Sequence, residues 1–258
     1  MNCANCNERL LTRYRYCPSC SQKAHLERLS LQEVGHEAIH YFTHADKSIF
    51  SLVRNLATRG GLVAREYILG MRKKHFSPLN FFLLVAAGYL LAMNLEQAPP
   101  TQILRERPAL SALENDPRRD DLERFYHRQE VAVKFMQERS NLIAIVTIPL
   151  TALIFFGFYQ RNRFNYTEHL VANLYMVGFA TLIYTIVIVA NTVFRISAGW
   201  LAFGQIAFQT LYYAWFYFRF MENEGRARAA VSALCATLVP GAIGTILILV
   251  YTFELVPF

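Results

Sequence analysis

The chain has 258 residues, 54% of them hydrophobic and 14% aromatic, with a mean hydropathy of +0.21 and a formal net charge of +7. It is more apolar than an ordinary soluble domain of this length, and its charges are segregated from its apolar runs. Most of the basic excess flanks those runs, so anionic lipid headgroups account for it and a nucleic-acid partner is not needed.

Residues 1–24 carry two C-x-x-C pairs, Cys3 with Cys6 and Cys17 with Cys20. Four soft thiolates on two tight turns suit a tetrahedral zinc ion, with every coordination position filled and none left for catalysis. So short a segment has no apolar core, and metal binding must supply most of its folding free energy, on the order of 10 kcal/mol or more. The ten residues between the pairs suggest a short hairpin containing Tyr14 and Tyr16, and Pro18 fits a knuckle turn. The residue after each pair prefers positive φ, which Asn7 tolerates and Ser21 tolerates less easily. No internal repeat is evident. The polar, cysteine-rich start lacks the apolar stretch of a signal peptide.

Residues 25–77 form a second region. From 29 to 58 the apolar positions recur at three- and four-residue steps, through Leu31, Val34, Phe42, Ile49, Leu52, Val53 and Leu56, which predicts amphipathic helix too polar to span a bilayer. Helices lying along the inner leaflet, with Arg54 and Arg59 reaching for phosphates, fit that pattern. Gly60 and Gly61 break it, a short amphipathic piece follows over 62–69, and Arg72, Lys73, Lys74 and His75 form a basic stop before the first apolar run.

Residues 78–258 form the third region, a multi-pass membrane domain. The segments 78–95, 142–159, 170–194, 201–218 and 231–253 contain no Asp, Glu, Lys or Arg. A bilayer core needs about 20 helical residues to cross, so five transmembrane helices are expected. Between the first two, at about 96–141, lies a mixed-charge loop with helical spacing over 116–139. Asn94, Asn173, Asn191, Gln205 and Gln209 are neutral polar groups that join helices, and Cys235 is packing. A transport pathway is expected to show intramembrane charge, and these segments have none.

Basic residues concentrate before 78, in 160–169 and in 219–230, which places those segments and the N-terminus in the cytoplasm and the C-terminus outside. A reducing compartment in turn favours metal over disulfide for the four cysteines. His36-Glu37-Ala38-Ile39-His40 spells H-E-x-x-H, the zincin pattern, but one straight helix carrying His44 as the third ligand does not wrap a metal. A separate set, His40, His44, Asp46, Glu168 and His169, falls on the same face of the membrane and suggests a polar cluster or a second metal site, sensitive to pH through its histidines.

Four stretches resemble a family of bacterial inner-membrane proteins with an N-terminal zinc ribbon, catalogued only as a domain of unknown function. They are Cys17-Pro18-Ser19-Cys20-Ser21-Gln22, His40-Tyr41-Phe42-Thr43-His44-Ala45-Asp46-Lys47, Arg65 to Arg72 with Pro78 beyond, and Tyr166-Thr167-Glu168-His169-Leu170-Val171. The family's ribbon usually has Gly where this chain has Asn7 and Ser21, a Pro-Gly in place of Gly60-Gly61, and Lys in place of Met71. The resemblance implies no activity, but His40, His44, Asp46, Glu168 and His169 fall on its motifs and His36 and Glu37 do not.

The expectation is therefore an all-α integral membrane protein of the bacterial inner membrane, with five transmembrane helices, inner-leaflet amphipathic helices and a cytoplasmic ribbon holding one structural Zn2+ at Cys3, Cys6, Cys17 and Cys20. Its expected role is a non-enzymatic scaffold or adaptor that recruits a cytoplasmic protein partner, and a homo-oligomer is compatible with it. The rivals are a metalloenzyme using His36, Glu37 and His40, and a small-solute permease.

Overall fold

In the computed structural model, residues 1–24, 28–30, 48–96, 124–128, 131, 140–159, 164–222 and 225–252 are described. Among them the regular elements are helices: α1 (Ser48–Arg59), α2 (Gly61–Ile68), α3 (Pro78–Glu96), α4 (Ser140–Phe158), α5 (Tyr166–Phe194), α6 (Ala198–Phe220) and α7 (Arg226–Thr252). No strand forms among these residues, and the only pairing in the ribbon is two isolated antiparallel bridges. Residues 124–128 are helical, as the spacing there predicts.

Each charge-free segment lies on one long helix. α5 starts sharply because Asn165 caps it: the Asn165 side chain accepts from the Glu168 amide at 2.8 Å while the Glu168 carboxylate accepts from the Asn165 amide at 2.7 Å. α3 packs along α5, α4 lies against α5 and α7, and α6 pairs with α7. Thr210 and Thr237 join the last pair through a 3.0 Å hydroxyl contact.

Burial runs lengthwise. At one end, where α3, α5 and α7 begin and α4 and α6 finish, the core holds Phe81, Phe155, Tyr159, Tyr175, Phe216, Tyr217 and Phe220. Most of the described basic residues of the helical region also lie at this end. Toward the far end the side chains stay apolar but face outward, as with Leu91, Ile186, Val193, Phe203 and Ile246. Large exposed apolar surface of this extent is unusual on a protein surrounded by water. α5 and α7 are long and apolar enough to cross a membrane, and little of either apolar stretch is buried inside the protein. α3 and α4 have shorter apolar stretches, and α6 is interrupted by Gln205 and Gln209.

The amphipathic region packs on the bundle. Leu52 and Leu56 of α1 and Val63, Ala64 and Tyr67 of α2 belong to the main core, and α2 lies against α5 and α6. Gly60 and Gly61 make the elbow that permits this. Gly60 has φ +54 and sits on the Trp215 ring, and a Cβ on Gly61 would lie 2.1 Å from the Phe216 carbonyl oxygen. Close approach of two backbones requires glycine there.

Candidate metal centre and the polar clusters of the basic end

Cys3, Cys6, Cys17 and Cys20 converge, their four sulfurs all within 4.8 Å of one another. The Cys3–Cys20 pair is 3.6 Å apart and the Cys6–Cys17 pair 3.5 Å. A tetrahedral ion with metal–sulfur bonds of about 2.3 Å spaces its thiolates roughly 3.8 Å apart, so the set is dimensioned for a metal. All four are free thiols, and Cys3 and Cys17 are buried with Leu10 in a small core of their own.

The ribbon is built from two copies of one turn, fourteen residues apart. The Asn7 amide donates to the Cys3 carbonyl and the Ser21 amide to the Cys17 carbonyl, both at 2.9 Å. The Cys3 amide donates to Glu8 and the Cys17 amide to Gln22, both at 2.8 Å, and bridges join Asn2 to Arg9 and Tyr16 to Lys23. Exchanging the copies converts the Cys3–Cys20 contact into the Cys17–Cys6 contact, the relation a two-fold axis through the metal would give. Asn7 and Ser21 adopt φ of 62° and 58°, as their positions demand. The sequence conceals this repeat because only the cysteines are identical between the copies. The hairpin expected between the pairs is replaced by one hairpin around each pair, since each turn closes its own hydrogen bonds.

Glu168 and His169 are adjacent in sequence and separate in role. Glu168 caps α5 and meets Arg28 at 3.7 Å, which fastens the chain after the ribbon to the bundle, where neighbouring Leu29 is buried. His169 points into the core. Its Nδ1 lies 3.3 Å from the Tyr217 hydroxyl, which also accepts from Asn173 Nδ2 at 2.8 Å, and its ring is parallel to Tyr217. His169 Nε2 and Asn173 Oδ1 are buried without a hydrogen-bond partner among the described residues. His40, His44 and Asp46, and likewise His36 and Glu37, lie outside the described residues, so the second metal set and the zincin pattern have no geometry to compare.

A cluster the sequence pattern did not single out surrounds Glu66. Its carboxylate is shared by the Arg59 guanidinium, by Lys74 Nζ at 2.9 Å and by His75 Nε2 at 2.8 Å. Burial pushes the Glu66 carboxyl up, but its hydrogen bonds to Arg59, Lys74 and His75 prevail and hold it at about 2. Burial lowers the His75 imidazole below its ordinary value against the opposing pull of Glu66. Arg59, expected to reach for phosphate, is thus neutralised within the protein, and two members of the expected basic stop, Arg72 and His75, turn inward. The available signal was a lone carboxylate among Arg59, Arg65, Arg72, Lys73 and Lys74.

Residues 46–90 match a family described as "Protein of unknown function (DUF3667)". The match covers α1, α2 and most of α3, and therefore includes the glycine elbow and every member of the Glu66 cluster. No curated protein and no solved structure matches the chain.

Proposed function

We propose that the chain is a multi-pass membrane scaffold, anchored by five helices in the bacterial inner membrane, whose cytoplasmic ribbon binds one structural zinc and recruits a protein partner. The observation that carries this is the ribbon itself: four sulfurs already at metal-bound spacing, each required by the tetrahedron, so that no ligand position stays open for a substrate or water. Around that closed centre Leu11 and Tyr16 are exposed, as are Arg9, Arg13, Arg15 and Lys23, a mixture of apolar and cationic groups suited to docking a protein. The outward-facing apolar side chains of α3 to α7 support lipid as the solvent of the bundle.

The decisive experiment compares two variants in cells lacking the native copy. Cys17→Ser should abolish the phenotype that the wild-type gene restores, while Glu37→Gln should restore it fully. Loss with Glu37→Gln and retention with Cys17→Ser would replace the scaffold with a hydrolase.

A further inference from the structure

The fourteen-residue repeat of the ribbon makes Cys3 equivalent to Cys17 and Cys6 equivalent to Cys20, yet the equivalent positions differ in exposure. Cys3 and Cys17 are buried, Cys20 is half-buried and Cys6 is exposed. Buried cysteines are chemically inert, so a purely structural centre is protected when all its sulfurs are shielded. Here one of the four, Cys6, stands open to solvent. As a metal ligand it is held as the thiolate, which is the form that reacts with oxidants.

Each sulfur has a neighbour on the other hairpin. Cys6 lies 3.5 Å from Cys17 and Cys3 lies 3.6 Å from Cys20, so the four sulfurs divide into two pairs with none left over. A disulfide holds its sulfurs about 2.05 Å apart, and either pair reaches that by closing about 1.5 Å. The backbone bonds that shape each turn, from the Asn7 amide to Cys3 and from the Ser21 amide to Cys17, join residues of one hairpin. A link between hairpins leaves those bonds intact, whereas a link within one C-x-x-C pair has to form inside the bonded turn.

We propose that the ribbon is a peroxide-sensitive metal switch, in which Cys6 is oxidised first, Cys17 closes a disulfide with it, and the zinc ion is released. The Cys6 thiolate attacks one oxygen of hydrogen peroxide, the O–O bond breaks, and Cys6 becomes a sulfenic acid while the other oxygen leaves as hydroxide. The Cys17 thiolate then attacks the Cys6 sulfur, the S–S bond forms, and a second hydroxide departs. Two protons from solvent turn both hydroxides into water, so two thiolates have given two electrons to one peroxide. Cys3 and Cys20 alone then hold the ion, half of a tetrahedron, and it leaves. A dithiol reduces the disulfide by exchange and regenerates the four ligands, which makes the switch reversible. Metal binding supplies most of the ribbon's folding free energy, so its release loosens the surface that carries Leu11 and Tyr16. The switch rests on the zinc ribbon proposed above and adds the condition under which that ribbon gives up its ion and its partner.

The test uses purified full-length protein in detergent, loaded with zinc and freed of reductant. One equivalent of hydrogen peroxide is added beside a chromogenic zinc chelator, and release is read against a sample whose peroxide was destroyed by catalase. Remaining thiols are then alkylated and the protein is digested with trypsin. Cleavage after Arg9, Arg15 and Lys23 puts Cys3 and Cys6 in peptide 1–9 and Cys17 and Cys20 in peptide 16–23. Peroxide should release one zinc per chain, join the two peptides by a disulfide, and leave alkyl groups on Cys3 and Cys20. Dithiothreitol with added zinc should restore the metal content. Zinc retained in excess peroxide, disulfides confined within the separate peptides, or alkylation of Cys6 or Cys17 in the joined peptides would each overturn the switch. Failure of the zinc ribbon itself would look different: the protein would carry no cysteine-bound zinc before peroxide was added.

Discussion

Glu66 and His75 meet at 2.8 Å where the chain turns from α2 toward α3, the imidazole almost wholly buried and the carboxylate also gripped by Arg59 and Lys74. This contact ties the elbow to the start of α3, and both partners have displaced proton affinities. Glu66 is depressed to about 2 in the folded state, so its contribution is complete above the unfolded carboxylate value of 4.5 and is lost as pH falls from there toward 2. His75 is also depressed, so the unfolded chain takes up a proton first and stability declines as pH falls below 6.5. The two effects act in the same direction. Melting temperature in detergent should fall from pH 7 to pH 2 in two stages, the first setting in below 6.5 and the second below 4.5, and His75→Gln should remove the earlier one. Glu66→Gln should lower stability by about 2 kcal/mol at pH 7, because three donors lose a charged acceptor.

The glycine elbow gives a sharper structural prediction. Gly61→Ala pushes a methyl group into the Phe216 carbonyl and against Phe220, atoms of backbone and core that have little room to move. Overpacking of this kind costs about 1–3 kcal/mol, and more when backbone must shift. Gly88→Ala and Gly199→Ala, where an added Cβ meets nothing within 4 Å, are the controls. Thermal unfolding should separate Gly61→Ala from both by several degrees, with α1 and α2 becoming protease-sensitive first.

Tyr217 is the hinge of the buried hydrogen-bond set. Its hydroxyl accepts from Asn173 and faces His169, while its ring stacks on Phe155 at 3.5 Å between centroids. Tyr217→Phe keeps the stacking and removes only the oxygen. Asn173 Oδ1 and His169 Nε2 already lack partners among the described residues, so the loss strands further polar atoms and should cost about 1–3 kcal/mol. A melting temperature unchanged by this substitution would mean that water replaces the phenol.

Sequence pattern located the helices well, because charge-free apolar runs of eighteen residues or more are too long for ordinary strands and read as helix. It also located the four sulfurs, whose spacing is a covalent fact. Pattern failed where a residue's partner is distant in sequence. Nothing local distinguishes Arg59, held by Glu66, from Arg54, or tells that Arg72 and His75 turn inward while Lys73 and Lys74 face outward. The adjacency of Glu168 and His169 suggested a joint role, yet neighbouring helical positions point about 100° apart, and one became a cap while the other entered the core. The fourteen-residue repeat was hidden for a related reason: backbone hydrogen bonds define it, and side chains hardly do.

That repeat supports the last prediction. Asn7 and Ser21 occupy equivalent left-handed positions, at φ 62° and 58°, where a Cβ crowds the neighbouring carbonyl. Asparagine pays less of that penalty than serine, and glycine pays none. Ser21→Gly should therefore stabilise the metal-bound ribbon by about 1 kcal/mol, and Asn7→Gly by less, provided the glycine's extra freedom in the unfolded chain does not offset the gain. Because ribbon folding and metal binding are one equilibrium, the gain should appear as tighter zinc binding, about fivefold for Ser21→Gly in competition with a chelator. The same titration counts the ions. One zinc per chain, lost together in Cys3→Ser and Cys17→Ser, is the expected result. Two ions, one of them surviving both substitutions, would revive the histidine cluster around His40 and His44 or the zincin pattern of His36, Glu37 and His40, and the core position of His169 leaves it no part in either.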